Sequence, residues 1–399
     1  MRILLVSDYA TPTGGGELIV LALRDALRRR GHDVRLFASS ARPLNLPSQA
    51  DYECFGLSSR LRGLTQLANP SAYWRLQRVL LDFQPEVVHV RLFLSQLSPL
   101  ILPLLRDIPA LYHVAWYRSI CPVGTKMLPN SAPCREPAGL ACLKNHCLQA
   151  YAWPSLMLQM KLWRHWRGAF KLIVANSHAT KRRLEAEGIR PVEVVWNGVP
   201  VRAQRKPFAA PVTVAFAGRL IREKGADVLV EAFAKVVACI PEAKLLIAGD
   251  GPERIQLVSQ IDQLHLNSSV TLLGHLSRAE LEARFSNAWV QVVPSRWEEP
   301  FGIVAAESLM RGTAVVASDA GGLAEIVLNN ETGVLVPPGD PQALGDALLS
   351  LLENRERAEW MGGNARQFAL QHLTEEAFVN RFLELYELLC KGRTFFATG

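Results

Sequence analysis

The sequence predicts an α/β protein made of two doubly wound domains, each built on a parallel sheet. Short continuous apolar segments alternate with longer amphipathic segments, which is typical of parallel strands covered by helices on both faces. The same alternation begins again after residue 211. The chain has 399 residues, and domains of roughly 100–200 residues would make two of them.

The individual elements follow from this alternation. In the N-terminal half, a buried strand over 2–8 is followed by glycines and by a helix from about Glu17 to Arg30, which Gly31 ends. Further strands are predicted in this half at 34–38, 87–90, 110–113, 172–175 and 192–195. The C-terminal half repeats the scheme, with strands in VTVAFAG, LLIAGDG, VTLLG, VQVVPS and AVVAS, each before a helical pattern.

The domain boundaries come from a segment without periodicity. Residues 200–211 contain three prolines and no apolar repeat, which predicts a linker. We therefore expect an N-terminal domain over 1–200 with a cysteine-bearing insertion at 121–147, and a C-terminal domain over 201–375. A last helix over 376–399 would pack back on the first domain. Ligands of such sheets bind at the carboxyl ends of the strands, so two facing domains would share one cleft.

The composition excludes several classes of protein. With 49% hydrophobic and 20% charged residues the chain is typical of globular proteins. Its apolar runs are much shorter than the ~20 residues of a membrane span. The start, MRILLVSDYA, is too quickly polar for a signal peptide, so we expect a cytoplasmic protein. In that compartment the seven cysteines favour thiols or a metal over disulfides.

The charge is unevenly distributed. Residues 1–200 carry 25 Lys and Arg against 13 Asp and Glu, whereas 201–399 carry 19 against 24. Such asymmetry indicates an anionic partner of the first half, which could be a membrane surface, a lipid phosphate or a nucleic acid, or else a solvated basic face. Residues 151–171 add a mixture that suits either a membrane-interface helix or a core helix with a basic edge. They interleave Lys161, Arg164 and Arg167 with Trp153, Trp163 and Trp166.

The strongest chemical signal is a pair of glutamates in EPFGIVAAESLMRGTAVVASDAGGLAEIV. Glu299 precedes a predicted helix and Glu307 lies inside it, about two turns on. Gly302 marks the helix start, where free N–H groups can hold phosphate or sugar oxygens. A loop carboxylate can accept sugar hydroxyls, and a carboxylate within the helix can reach a ribose diol.

Two further segments carry groups that suit an anionic ligand. AGRLIREKG places Arg219 after a strand and Lys224 before a helix, and two cations at this spacing can clamp a diphosphate. Gly249 belongs to a tight turn after the strand LLIA, and TPTGGGE follows the first strand of the chain. Glycines there allow the backbone to approach a ligand closely.

Together these segments resemble the family 4 glycosyltransferases, which have the GT-B fold of two facing Rossmann-like domains with a cleft between them. The resemblance covers nearly the whole chain and is strongest from Val212 to Gly339, where IAGDGP, LGHLSRAEL and TGVLVPPGD also match. It implies a retaining enzyme that moves a sugar from a nucleotide-diphosphate sugar to an acceptor. The departing phosphate would accept the acceptor's proton.

The resemblance also implies residue roles in the C-terminal half. Glu299 would contact the donor sugar and Glu307 the ribose. Arg219 and Lys224 would bind the diphosphate, and the region of Gly249 would line the base pocket. The remaining donor contacts would come from the backbone of Phe301, Gly302 and Ile303.

In the N-terminal half, the resemblance assigns Gly15 and Gly16 to a loop that contacts the donor phosphate and shapes the acceptor site. His113 would hydrogen-bond the donor sugar, although a lone histidine is more often a packed structural residue. With Glu299, Arg219 and Lys224, His113 completes the expected catalytic set.

The ligands and partners follow from the same resemblance. A UDP- or GDP-sugar would be the donor, and no metal cofactor is required, since the chain has no Asp-x-Asp motif. Acceptors of the family range from lipid-linked sugars and polysaccharide intermediates to small molecules. The basic half favours a lipid-linked or anionic acceptor and peripheral contact with the inner face of an anionic membrane, and the sugar-nucleotide motifs argue against nucleic acid. Alternatives are an epimerase or phosphorylase of the same fold, or a catalytically silent nucleotide-sugar-binding subunit.

The cysteine-bearing insertion raises a separate possibility. Four thiols could hold a structural zinc ion, with His146 as a further ligand, or could stay unpaired in an acceptor-side loop. The four are Cys121, Cys134, Cys142 and Cys147.

Overall fold

The computed structural model describes residues 1–57 and 62–392 and forms two compact units. Unit 1 contains residues 1–198 and the last helix, and unit 2 contains Val199–Thr374. The predicted C-terminal helix over 376–399 reaches beyond the described residues, because 393–399 lie outside them.

Unit 1 is built on a seven-stranded parallel sheet in the order β3-β2-β1-β4-β5-β6-β7. Its strands are β1 (Arg2–Ser7), β2 (Asp33–Ser39), β3 (Tyr52–Cys54), β4 (Val87–Val90), β5 (Ala110–Val114), β6 (Leu172–Ala175) and β7 (Val192–Val194). Its first six helices are α1 (Gly15–Arg29), α2 (Arg62–Leu67), α3 (Pro70–Phe83), α4 (Ala141–Lys144), α5 (Trp153–Trp166) and α6 (His178–Ala186).

Unit 2 contains a six-stranded parallel sheet in the order β10-β9-β8-β11-β12-β13. Its strands are β8 (Thr213–Ala217), β9 (Lys244–Ala248), β10 (Val270–Gly274), β11 (Val290–Val293), β12 (Ala314–Ser318) and β13 (Gly333–Val336). Its helices are α7 (Ala226–Cys239), α8 (Arg254–Gln263), α9 (Arg278–Phe285), α10 (Ile303–Arg311), α11 (Leu323–Ile326), α12 (Pro341–Leu352) and α13 (Arg355–His372). The chain then returns to unit 1 as α14 (Glu375–Cys390), which contacts α1 and β4.

The doubly wound fold predicted for both halves is confirmed. Every residue of β4, β11 and β12 is buried, which explains their continuous apolar sequences, since helices cover both faces of a parallel sheet. The sequence missed the short strand β3 and the strand β13. It also placed the start of α1 two residues late, because the glycines of the preceding loop already have helical geometry.

The predicted linker contains no helix or strand, and it lies against unit 2. Phe208 is buried and its ring stacks on Trp289 at a centroid distance of 4.4 Å. The Arg205 amide donates to the carbonyl of Arg311. This segment therefore contributes to the core of unit 2.

Both sheets reverse their strand order at one point. In unit 1 this point lies between β1 and β4, and in unit 2 between β8 and β11. Loops that leave neighbouring strands at such a point diverge to opposite faces and leave a crevice at the carboxyl edge. Among the helices of residues 1–57 and 62–392, none combines the length and apolarity of a membrane span.

Candidate functional site

The crevice of unit 2 lies between the loop after β8 and the loop after β11. The first loop carries Arg219 and Lys224, and the second carries Glu299. Residues that lie 75 positions apart in the sequence thus meet at the switch point of the sheet.

Glu299 and Lys224 form an ion pair at this point. The Lys224 ammonium donates to the Glu299 carboxylate, and the Ser295 hydroxyl donates to the same oxygen at 2.7 Å. Glu299 is 6% exposed, and its burial raises the carboxyl pKa, but the charge and hydrogen bond of Lys224, with the hydrogen bonds of Ser295 and Trp297, outweigh burial and the net pKa is lowered. Glu299 is therefore a buried carboxylate that stays charged because a cation accompanies it.

A second ion pair joins the loop after β11 to the first turn of α7. The Arg296 guanidinium contacts both carboxylate oxygens of Asp227, at 2.5 and 2.6 Å, a bidentate geometry that fixes direction as well as distance. The Arg296 amide also donates to the carbonyl of Glu223 at 2.8 Å. The Ser295 hydroxyl and the Arg296 guanidinium thus both hold the loop of Glu299.

Two glycines allow the loops to approach so closely. A Cβ on Gly249 would lie 1.8 Å from the Gly218 carbonyl oxygen, and one on Gly225 would lie 2.0 Å from that of Pro294. Both have positive φ, at 137° and 66°, which other residues rarely adopt. Gly249 therefore shapes the loop of Arg219 by backbone packing.

The start of α10 faces the same carboxyl edge. Gly302 is its N-cap at φ 99°, and no side chain caps the first turn. Phe301 is buried, and the amide of Gly322 donates to the Glu299 carbonyl at 2.7 Å. The N–H groups that begin at Ile303 thus lie beside Glu299, where an anionic ligand would find both donors and the helix dipole.

The Glu307 carboxylate forms ion pairs with two arginines. Its Oε1 accepts from Arg202 at 3.1 Å and from Arg278 at 2.5 Å, and its side chain is 14% exposed. A ribose diol at this carboxylate would share it with these guanidinium groups. Neither arginine was singled out from the sequence, and no local motif marks them.

Arg219 differs from these paired groups. It follows β8 directly, is exposed, and forms no ion pair with any residue in 1–57 or 62–392. An exposed guanidinium beside a charged crevice keeps its donors available for a ligand.

In unit 1, Gly15 and Gly16 open α1 behind the N-cap Gly14, again without a capping side chain. A Cβ on Gly16 would lie 3.2 Å from the side chain of Leu92. Helix α1 therefore starts in close contact with the chain that leaves β4, at the switch point of this sheet.

A buried carboxylate missed by the sequence organises this edge. Asp8 accepts the amides of Ser95, Gln96 and Leu97 at 2.9, 2.7 and 2.7 Å. Its burial raises the carboxyl pKa, although these bonds and the charge of Arg118 oppose the increase. Asp8 thus ties the end of β1 to the loop after β4.

His113 lies in the core of unit 1. It is fully buried, and both ring nitrogens lie within 2.7 Å of the Arg91 Nη1 atom. The rings of Phe378 and Phe382 on α14 lie 6.0 and 4.8 Å from the imidazole. A contact with the donor sugar stays a prediction, and this burial favours the packed structural role.

The tryptophan-bearing segment also has a core face. Trp163 on α5 is fully buried and donates its indole N–H to the Ser119 carbonyl at 2.8 Å. Its ring contacts those of Phe93 and Tyr112. Of the two alternatives for this segment, a core helix with a basic edge describes α5, because Lys161 and Arg164 are exposed on its other side.

The four cysteines of the insertion line one cavity. Across the described chain, 1–57 and 62–392, no group of three or more His, Cys, Asp or Glu side chains is arranged to hold a metal ion. His146 is exposed and does not line the cavity.

Comparison with known proteins agrees with this architecture. The family model for glycosyl transferases group 1 matches residues 200–368, and the model for glycosyltransferase family 4 matches residues 13–203. Fold and site thus define a GT-B glycosyltransferase framework. The chain belongs to the family 4 glycosyltransferases.

Two relatives and one solved structure show what the chain is similar to. A phosphatidyl-myo-inositol mannosyltransferase from Mycobacterium leprae is 30% identical over 92% of both chains. The glycogen synthase of Mycobacterium tuberculosis is 34% identical over 45% of this chain, and the match spans only 44% of that enzyme's length. The solved structure of Anabaena HepE in complex with UDP-glucose superposes with a TM-score of 0.71 at 20% identity, covering 97% of this chain and 99% of HepE.

The Lys224–Glu299 pair yields a stability test. Lys224→Met leaves a buried carboxylate without its cation, so we expect a loss on the order of 3 kcal/mol in the free energy of unfolding at pH 7. The double variant Lys224→Met/Glu299→Gln should recover more than half of that loss. Urea unfolding measures both. The control Lys235→Met removes an exposed pair with Asp346 and should cost less than about 1 kcal/mol; an equal effect of both lysine variants would contradict this account.

The histidines beneath α14 yield a pH test. Burial, and then the charge of Arg91, hold the pKa of His89 and of His113 well below the ordinary value of 6.5. Each takes up a proton more readily in the unfolded chain, so stability is full above pH 6.5 and falls as the pH decreases below it. The decline is up to about 1.4 kcal/mol per pH unit for each histidine.

Urea unfolding between pH 5 and 8 checks this decline. His113→Gln should flatten the profile, whereas the exposed control His265→Gln should leave it unchanged. A wild-type stability that stays constant from pH 7 to pH 5 would count against buried neutral histidines.

Proposed function

We propose that this protein is a retaining glycosyltransferase that moves a sugar from a UDP- or GDP-sugar to an acceptor. One observation carries the proposal. Lys224, Glu299 and the start of α10 behind its N-cap Gly302 converge at the switch point of unit 2, with the exposed Arg219 beside them. This combination of cations, a carboxylate and free amides suits a diphosphate joined to a sugar.

Each group has a role in this proposal. Arg219 and Lys224 bind the diphosphate, and the amides at Gly302 and Ile303 bind its oxygens together with those of the sugar. Glu299 accepts hydroxyl groups of the sugar, because its lowered pKa keeps it an acceptor at neutral pH. The Glu307 carboxylate accepts the ribose diol while it keeps its contacts with Arg202 and Arg278.

The chemistry is a front-face displacement, as in the family that the chain belongs to. The bond from the anomeric carbon to the phosphate oxygen breaks while the acceptor oxygen approaches on the same face. The phosphate oxygen takes the acceptor's proton. Cations and helix amides at the diphosphate stabilise the charge that develops on it, which is usually the largest electrostatic contribution to such a step. No protein nucleophile is needed.

Proteins similar to this chain support the assignment of the donor and of the acceptor, in addition to the geometry of the site. HepE was solved with UDP-glucose, and the mannosyltransferase relative is named for a phospholipid acceptor. For this chain we propose a nucleoside-diphosphate sugar as donor and a glycan or lipid-linked acceptor, as in the synthesis of a surface glycan.

An exposed surface of apolar and basic side chains on α3 supports the lipid-linked acceptor. Helix α3 exposes Trp74 and Leu81, at 66% and 70%, on the side that also carries Arg75 and Arg78. Exposed apolar side chains next to arginines suit the interface of an anionic membrane, and the positive balance of the N-terminal half outweighs the exposed Asp82 on the same helix. We assign peripheral membrane contact to this face of α3 rather than to α5.

Donor binding can be measured by calorimetry with UDP, GDP and their sugar conjugates. One nucleotide should bind the wild type, and Arg219→Ala should weaken it roughly 10- to 100-fold, because one charge-assisted contact is lost. The surface control Arg355→Ala should bind normally. Arg219→Ala combined with Lys224→Ala should abolish binding.

Turnover separates the enzyme from a silent subunit. Transfer of sugar with the donor's anomeric configuration, read by NMR, is the expected result. Binding of a nucleotide sugar without transfer to glycan or lipid-linked acceptors would support the silent subunit, and absence of any nucleotide binding would reject both.

Membrane contact can be measured by co-sedimentation with vesicles of phosphatidylglycerol and phosphatidylcholine. Trp74→Ser combined with Arg75→Glu and Arg78→Glu should weaken binding at least tenfold, since each basic residue near an anionic surface contributes about 1 kcal/mol. The control Lys161→Glu/Arg164→Glu on α5 should change it less. Equal partition with and without anionic lipid would rule out the α3 surface.

A further inference from the structure

A cavity in unit 1, remote in sequence from the donor site, is lined by four thiols. Cys121, Cys134, Cys142 and Cys147 surround a space of about 20 Å³, which is enough for one water-sized occupant. The other three cysteines of the chain, at positions 54, 239 and 390, do not line it. The clustering is therefore particular to residues 121–147.

A hairpin positions the second of these thiols. Met127 pairs with Pro133 in an antiparallel bridge, and the Cys134 amide donates to the Lys126 carbonyl at 2.8 Å. The hairpin thus brings Cys134 back beside the chain that leaves Cys121. Lys126 lies on the same wall, is 5% exposed, and pairs with Glu187 at 2.7 Å.

The end of helix α4 positions the other two thiols, those of Cys142 and Cys147. Helix α4 ends at Lys144, and His146 two residues on has a left-handed φ of 53°. The His146 amide donates to Leu143 at 2.9 Å, and the Cys147 amide donates to Cys142 at 3.0 Å. These two bonds define a Schellman motif, in which the first and last residues place their side chains in contact. Cys142 and Cys147 are neighbours for this reason.

The segment has little regular structure of its own. Apart from the single turn of α4 it contains no helix or strand, and most of its side chains are half-exposed or exposed. Three non-glycine residues, Lys126, Ser131 and His146, have positive φ, which costs conformational energy. Short segments without an apolar core usually depend on a disulfide or a metal.

We propose that residues 121–147 form a structural zinc site in which Cys121, Cys134, Cys142 and Cys147 ligate one ion as thiolates. Zinc in a structural site takes four sulfur or nitrogen ligands tetrahedrally at about 2.3 Å for sulfur. Each thiol releases its proton on binding, and the Lys126 ammonium offsets part of the resulting negative charge. The four thiols line the cavity, but they are not arranged at coordinating distance. Binding of the ion therefore requires the four sulfur atoms to move closer together.

Zinc analysis of the purified full-length protein by mass spectrometry tests this site. The expected content is close to one ion per chain. Cys142→Ser/Cys147→Ser should reduce it roughly tenfold or more, whereas the matched control Cys239→Ser/Cys390→Ser should retain it. Far-UV circular dichroism and urea unfolding show whether each variant is folded.

Cobalt substitution provides a second readout that needs no variant. Wild-type protein stripped with a chelator and titrated with Co²⁺ should develop the intense visible absorption of a tetrahedral thiolate complex, and Zn²⁺ should displace it. A metal-free wild type that takes up neither ion overturns the proposal. A protein mass that is lower by two hydrogens for each linked pair also overturns the proposal, because it identifies disulfides among the four cysteines.

Discussion

The ion pair between Lys224 and Glu299 is the interaction on which the site of unit 2 depends. A carboxylate that is 6% exposed would lose its charge to burial without a cation beside it. The pair also joins the loop after β8 to the loop after β11, across the point where the sheet reverses its strand order. Electrostatics and topology are thus satisfied by the same contact, and Arg296 with Asp227 repeats the connection a few residues away.

The two sheets have the same winding, but their carboxyl edges are organised by different chemistry. In unit 2 the edge is charged and partly open, with Arg219 exposed. In unit 1, Asp8 is fully buried and accepts hydrogen bonds from backbone amides, and His113 and Arg91 lie beneath α14. Side chains that are buried and neutral, or whose hydrogen bonds are all made within the protein, stabilise the unit. Exposed side chains with unused hydrogen-bond donors can bind a ligand. This difference is consistent with a donor site formed mainly by the C-terminal half.

The elements and the motif could be predicted from the sequence because both are local. Continuous apolar segments identified most strands, and in the structure Ser177 caps α6 by accepting the Thr180 amide at 3.0 Å. The position of Glu299 before α10 and of Glu307 within it follows from the same local pattern. The arginines on Glu307 could not be found in this way, because Arg202 is 105 residues away and no spacing rule links the two. The environment of His113 was missed for a similar reason, since α14 covers it from the far end of the chain.

The sequence by itself determined the fold class and the family, and it predicted residues that would bind a sugar nucleotide, because hydrophobic periodicity and short motifs act over a few residues. The tertiary structure decided which of those groups are paired, buried or open. It placed Trp163 and His113 in a core, engaged Glu307 with two guanidinium groups, and brought four cysteines to one cavity. These outcomes depend on partners that are distant in sequence, and burial, charge pairing and pKa are properties of that assembled environment rather than of any segment alone.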